Sequence, residues 1–279
     1  MGVYACISHK GGTGRTVTTA NVAYQLARRG QDVCMVDFDL ASPTLGSVLG
    51  LKDISSGADT GLHHILVGEA PASSAEELER SIWDSPDIAA TFSFDWHGAF
   101  RLLPGSRSGA DVDLRDTSQV VAELLADVSS RYDVVLIDLR SGLGPVAGLF
   151  LEPMIDEVLT AWLVFHRWTR QHLVGAHNLL ENLQQYSQGP FYRVRTAVID
   201  PDKSGAAEPW VRSQHESLQK DANRLLTLGV EPSREIGAVP MDPLLQWTER
   251  IVTDADAEVV GNQKTVDAFI HLAEQISAG

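Results

Sequence analysis

Three glycines within four positions, Gly11, Gly12 and Gly14, stand between a short apolar run, Val3-Tyr4-Ala5-Cys6-Ile7, and small residues at helical spacing, Val17, Ala20, Ala23 and Ala27. An apolar run without polar alternation suits a parallel strand covered on both faces. Glycines after such a strand allow turns and close approaches that a Cβ would block. The helical pattern stops at Gly30, after Arg28-Arg29, as helices that end on a glycine do. A second apolar run, Val33-Cys34-Met35-Val36, then closes on Asp37-Phe38-Asp39. Strand, glycine loop, helix and strand make one βαβ unit, whose ligand site lies at the carboxyl ends of its strands.

Similar units recur along the chain. Strands are expected at Phe100 to Leu103, Val134 to Asp138, Glu157 to Phe165, Val194 to Ile199 and Ile236 to Val239. Helices are expected at Gly61 to Leu66, Ser74 to Trp83, Ser118 to Ser130, Arg170 to Tyr186, Trp210 to Leu228, Pro243 to Ile251 and Val266 to Ile276. Such alternation predicts an α/β fold with three layers: a doubly wound, mostly parallel sheet with helices on both faces. The whole chain, 1–279, reads as one domain with a less regular segment at about 53–100 and no internal repeat.

Composition bounds the partners. The 22 Lys+Arg against 37 Asp+Glu give a net charge of −15, the wrong sign for sequence-independent binding along a nucleic-acid backbone. Cys6 and Cys34 both lie in apolar runs, which argues against a disulfide framework or a cysteine-held cluster and fits a reducing cytoplasm. No run reaches the length of a membrane helix, and no signal peptide is apparent. The apolar stripe of the C-terminal helix, Val266, Phe269, Ile270, Ala273 and Ile276, faces away from Asp267, Glu274 and Gln275. Without basic residues on its polar face, it reads as core and not as a membrane-docking helix.

The loop carries the chemistry. Successive backbone N–H groups at Gly11, Gly12, Thr13 and Gly14 can converge on one anion, and the following helix start adds a favourable dipole. The hydroxyl of Thr16 stands where such loops bind Mg²⁺. Lys10-Gly11-Gly12-Thr13-Gly14-Arg15-Thr16 resembles the deviant Walker A loop of the ParA/MinD family, KGGxGKT followed by a second Thr. Asp37-Phe38-Asp39-Leu40 is similar to that family's switch I, and Val134 to Asp138 with Leu139-Arg140-Ser141-Gly142 to its Walker B strand and switch II.

The resemblance implies a P-loop NTPase of the SIMIBI type that takes ATP and Mg²⁺ and works as a homodimer. Lys10 matches the signature lysine that reaches the partner's nucleotide. Asp39 matches the carboxylate that orients the attacking water, Thr16 the metal ligand, and Asp138 the acid that holds the metal through water. Asp37 is either an indirect metal partner or an acid capping the next turn. Late loops would contact adenine, which makes Asp200, Pro240 and Asp242 candidates.

The sequence departs from the family pattern at three positions. Arg15 replaces the loop lysine; its charge is kept, but guanidinium is a larger planar fork. Val17 replaces a threonine that helps hold the α-phosphate. Arg140 stands where proline is common. The segment His166-Arg167-Trp168-Thr169-Arg170-Gln171-His172 opens a helix at a strand's carboxyl end and could face nucleotide or partner.

The function expected is an ATP-dependent dimerising switch that positions or regulates a protein partner or a cellular assembly. A non-hydrolysing nucleotide sensor or scaffold is the second reading, suggested by Arg15 and Val17. An ATP-dependent small-molecule enzyme is the third; it would need a substrate pocket, for which the Asp53 to Trp96 region offers no motif.

Overall fold

A computed structural model of the protein describes residues 1–51, 61–89, 97–105, 113–199, 209–225, 233–252 and 262–278. Eight strands form one sheet: β1 (Gly2–Ser8), β2 (Val33–Phe38), β3 (Arg80–Ser81), β4 (Phe100–Leu103), β5 (Val134–Leu139), β6 (Ala161–Arg167), β7 (Phe191–Val198) and β8 (Arg234–Pro240). Their order is β3-β4-β2-β5-β1-β6-β7-β8. All neighbouring pairs are parallel except β3 with β4. β1 therefore runs through the middle of the sheet, so its glycine loop leaves at the centre of the carboxyl edge.

Among the described residues, five long helices accompany the sheet: α1 (Arg15–Arg28), α2 (Ser118–Arg131), α3 (Arg170–Leu183), α4 (Pro209–Leu225), which packs on α3, and α5 (Gln263–Ser277). β1 shows why its run has no polar alternation. Val3, Ala5 and Ile7 enter a core shared with Val121, Leu124 and Val128 of α2 and Leu173, Ala176 and Leu180 of α3. Tyr4 and Cys6 enter the opposite core, with Val22, Ala23 and Leu26 of α1 and Phe269, Leu272 and Ile276 of α5. Covering both faces is what a central parallel strand demands.

The C-terminal stripe is core, as expected. Val266, Phe269, Leu272, Ala273 and Ile276 are buried, and the Tyr4 hydroxyl donates to the Ile276 carbonyl at 2.9 Å. Full burial of such large apolar side chains stabilises by about 1.5–3 kcal/mol each. The doubly wound, three-layer architecture is the one the strand–helix alternation predicts.

Two expected elements differ. Ser74 to Trp83 is not one helix: a helical turn, Ala75–Leu78, is followed by edge strand β3, which pairs antiparallel with β4. Buried Glu79 explains the break, since its carboxylate takes the Tyr132 hydroxyl and the Arg131 guanidinium at 2.7 Å and pins the chain there. The strand expected from Glu157 begins only at Ala161, because Pro153–Asp156 forms a helical turn that carries the chain through Thr160.

Candidate nucleotide site at the glycine loop

Gly12 and Gly14 sit in the left-handed region, with φ of 74° and 75°, and Gly14 is the residue from which α1 departs. A side chain would be strained at both positions. A Cβ built on Gly11 or Gly12 would meet nothing within 4 Å, so the loop is open on that side at the start of a 14-residue helix. Glycines of positive φ leading into a helix start are the backbone from which anion-binding loops are built.

The loop is held from both sides. The Gly142 amide, at φ 84°, donates to the Ser8 carbonyl at 2.8 Å and laces the segment after β5 to the loop's entry. On the other side the Thr196 hydroxyl of β7 donates to the Thr13 carbonyl. His9 packs its ring so tightly on α3 that a Cβ on Gly175 would meet it at 2.3 Å.

An oxygen cluster lies beneath the loop. Asp37 and Asp138 are in register on β2 and β5. Arg15 donates from Nε to Asp138 Oδ1 at 2.6 Å and from Nη2 to Oδ2 at 3.2 Å. Its Nη2 also reaches Thr16 Oγ1 at 3.2 Å, and the Thr16 hydroxyl donates to Asp138 Oδ2 at 2.8 Å. Asp39 Oδ2 stands 3.9 Å from the same guanidinium, while Asp39 Oδ1 is buried without a hydrogen-bond partner. Burial raises the Asp39 carboxyl above its ordinary value, with Arg15 opposing the rise. Arg140 is exposed and within electrostatic reach of Asp39.

The residues fit both groups that the resemblance implies. Thr16 and Asp138 offer only hard oxygen donors, as Mg²⁺ prefers, and Asp39 Oδ1 is buried near them without a hydrogen-bond partner. The positive-φ glycine loop suits phosphates. Asp37 has a different place: Oδ1 accepts from the Asp39 amide and Oδ2 from the Leu45 amide, both at 3.2 Å, which is a turn-capping arrangement.

A cleft of ≈ 300 Å³ opens beside the loop between Val17 and Thr18 of α1 and the ends of β6, β7 and β8. Pro240 and Asp242 line it, as does Arg167. Asp242 is buried, and its Oδ2 accepts from the Thr265 hydroxyl at 2.6 Å, so this carboxylate also anchors α5. Asp200 lies outside the described residues. The remaining members of the His166–His172 segment turn mainly to structure. His166 is buried, Trp168 donates to His215 at 3.2 Å, Thr169 caps α3, and Arg170 pairs with Asp221 at 3.1 Å.

Sequence reasoning missed Thr18, Thr196, Met241 and Leu245, which also line the cleft. It missed Asn21 as well. The buried Asn21 side chain donates to the Val17 and Arg250 carbonyls and accepts from the Val252 amide at 2.7 Å, fastening the cleft's far wall to α1. A polar residue on the packed face of α1 was the available signal for Asn21; Thr196 carried none.

Residues 4–276 match the family model described as the CobQ/CobB/MinD/ParA nucleotide binding domain. The chromosome-partitioning ATPase Soj of Thermus thermophilus is 31% identical over 197 residues, 70% of this chain and 66% of that protein. An uncharacterized Pseudomonas putida protein is 29% identical over 142 residues, 49% of this chain and 46% of its own length. The chain thus spans about half the length of the first curated relatives it matches. The septum site-determining protein MinD of Pyrococcus horikoshii, solved with Mg-ADP, superposes with a TM-score of 0.64 at 21% identity, covering 99% of this chain and 95% of that one. The chain belongs to the CobQ/CobB/MinD/ParA nucleotide-binding family.

Proposed function

We propose that this chain, as a single domain, binds ATP and Mg²⁺ at the glycine loop and acts in the cytoplasm as a dimerising switch ATPase that regulates or positions a protein partner. The observation that carries the reading is the positive-φ glycine loop at the start of α1, whose next residues, Arg15 and Thr16, both bond to Asp138. Mg²⁺, when bound, neutralises phosphate charge. Around it, the backbone amides of residues 11–14 hold the phosphates, and Thr16 and Asp138 hold the metal, Asp138 through water. Asp39, with one oxygen unpartnered, is placed to orient a water. Lys10, partly exposed, is the residue that would reach a second subunit.

Support for self-association comes from the surface beside Lys10. Leu143, just after the laced Gly142, is 47% exposed, and Val174, which shares a groove with His9, is 40% exposed. Charge supports a protein partner over nucleic acid, since −15 repels a phosphate backbone. Two buried free cysteines suit a reducing compartment.

The test is oligomeric state by light scattering with ATP, ADP and no nucleotide, alongside phosphate release. ATP should shift wild type to a dimer, Lys10→Ala should stay monomeric, and Asp39→Ala should dimerise without releasing phosphate. A wild type that ignores ATP in both assays removes the switch reading. A second reading, a non-hydrolysing sensor, is favoured by one observation: Arg15 already engages Asp138 and Thr16. It gains if wild type dimerises but releases no phosphate while Arg15→Lys does.

A further inference from the structure

The cleft of ≈ 300 Å³ runs from Gly12, Thr13 and Gly14 of the glycine loop to Pro240 and Met241 at the end of β8. The sheet order β1-β6-β7-β8 puts the carboxyl end of β6 next to the loop, between it and the rest of the cleft. A nucleotide with its terminal phosphates on the loop and its sugar in the cleft therefore crosses β6 at the α-phosphate, which joins the two parts. Arg167 is the last residue of β6 and lines the cleft, with Thr196 as its register partner on β7.

What holds the neighbouring arginines sets Arg167 apart. Arg15 grips Asp138, Arg170 pairs with Asp221 at 3.1 Å, and Arg193 and Arg195 reach Glu235 at 3.8 Å and 2.7 Å. Among the described residues, no ion pair or hydrogen bond holds the half-buried Arg167 guanidinium, although its backbone is fixed in the β6–β7 ladder. A placed strand carries an uncommitted cation.

The charge of the cleft calls for that cation. Asp242 and Glu249 are acids on its wall, and Arg167 is the basic residue among those that line it. On the α1 side Val17 is apolar, and the Thr196 hydroxyl is committed to the Thr13 carbonyl. An anion passing two carboxylates is repelled unless a positive group faces it, and guanidinium offers a planar fork of donors that matches phosphate oxygens. Two of the three non-glycine residues at positive φ among the described residues, Ala197 at 50° and Glu249 at 43°, also line the cleft. Strained backbone of this kind gathers where ligands bind.

Resting on the nucleotide-binding reading above, we infer that Arg167 is a nucleotide-binding residue whose guanidinium holds the α-phosphate from the carboxyl end of β6. Because ADP and ATP share that phosphate, Arg167 sets affinity for both and does not discriminate between the two states of a switch.

Calorimetric titration of the full chain with ADP and with a non-hydrolysable ATP analogue, both with Mg²⁺, tests this. Arg167→Gln, polar but uncharged, should weaken both ligands by about tenfold or more, and by factors that agree within about twofold. Arg167→Lys should recover part of the loss, and 2′-deoxy-ADP should show the same loss as ADP. In ³¹P NMR of bound ADP, Arg167→Lys should move the α-phosphorus resonance and leave the β-phosphorus resonance in place. Thermal melts confirm that each variant is folded. The inference is wrong if Arg167→Gln binds both nucleotides as wild type does, or if only the ATP analogue is weakened, which would put the guanidinium at the γ-phosphate. A loss that disappears with 2′-deoxy-ADP would put it on the sugar, and a shift of the β-phosphorus alone would put it on the wrong phosphate; either overturns the inference. An Arg167→Gln chain that binds nucleotide normally but no longer dimerises with ATP would assign Arg167 to the partner, with the same consequence. If wild type binds neither ligand, the nucleotide-binding reading itself falls, and this inference with it.

Discussion

Asp37 and Asp138 face each other in register on neighbouring parallel strands, yet their partners divide them. Asp138 takes the cation Arg15 and the hydroxyl of Thr16, whereas Asp37, among the described residues, takes the backbone amides of Asp39 and Leu45. Burial first, and the Asp138 charge second, push the Asp37 carboxyl well above the usual carboxylate range. A raised acid in the folded state binds protons more tightly than in the unfolded one. Its contribution to stability is therefore complete below the ordinary value of 3.8 and is lost as pH rises beyond it. Asp37→Asn, neutral at every pH, should gain stability relative to wild type as pH goes from 4 to 7. The amide's imperfect fit to two N–H donors shifts both ends equally. Urea unfolding at the two pH values reads the difference, and a constant offset would contradict the account.

Asn21 joins α1 to the segment that closes the cleft through three hydrogen bonds. Asn21→Ala strands the buried Val252 amide without an acceptor, which costs about 1–3 kcal/mol. Denaturant unfolding should show that loss. Because Val17, Thr18 and Leu245 line the same cleft, nucleotide affinity should fall as well. Asn21→Asp keeps the acceptor for Val252 but turns a buried carboxylate onto the Val17 and Arg250 carbonyls, so it should lose at least as much as Asn21→Ala.

Much of this arrangement was legible in the chain. The central strand, the glycine turn and the acids ending β2 and β5 depend on local signals: unbroken apolar runs, glycine spacing and polar residues at strand ends. What was hidden depends on long-range neighbours. Nothing near Thr196 says that its hydroxyl will reach Thr13, 183 positions away. Nothing near Glu79 says that Tyr132 and Arg131 will stop a helix and begin an edge strand. Arg15 was legible as a departure from lysine, but its choice of Asp138 over the open side of the glycine loop follows only from β1 and β5 being adjacent.

His166, the next-to-last residue of β6, is buried, and its Nε2 has no hydrogen-bond partner. Burial, reinforced by Arg193, Arg195 and His172, lowers its imidazole to about 3. The unfolded chain takes the proton near the ordinary value of 6.5, so the stabilising contribution is present above 6.5 and drains as pH falls toward 3. Each pH unit in that window costs up to about 1.4 kcal/mol. Wild type should therefore lose up to about 2 kcal/mol between pH 6.5 and 5 relative to His166→Phe, which keeps a ring but not the titration. Parallel unfolding curves for the two proteins across that range would rule out His166 as the source.

Leu143 distinguishes the two events that a switch must couple. Its side chain is exposed, while its neighbour Gly142 is tied to the Ser8 carbonyl at the entry to the glycine loop. A nucleotide held in the loop can thus bear on the face that Leu143 presents without touching Leu143 itself. A charge on an exposed leucine leaves the monomer's stability within about 0.5 kcal/mol, but desolvating an unpaired carboxylate in a subunit interface is costly. Leu143→Glu should bind the ATP analogue with wild-type affinity at low protein concentration, where dimers do not form, and should remain monomeric at concentrations where ATP dimerises wild type. Sedimentation with and without ATP measures this directly. A variant that dimerises normally would move the self-association surface away from the segment following β5, and a variant that loses nucleotide affinity as a monomer would show that Leu143 supports the loop and not the interface.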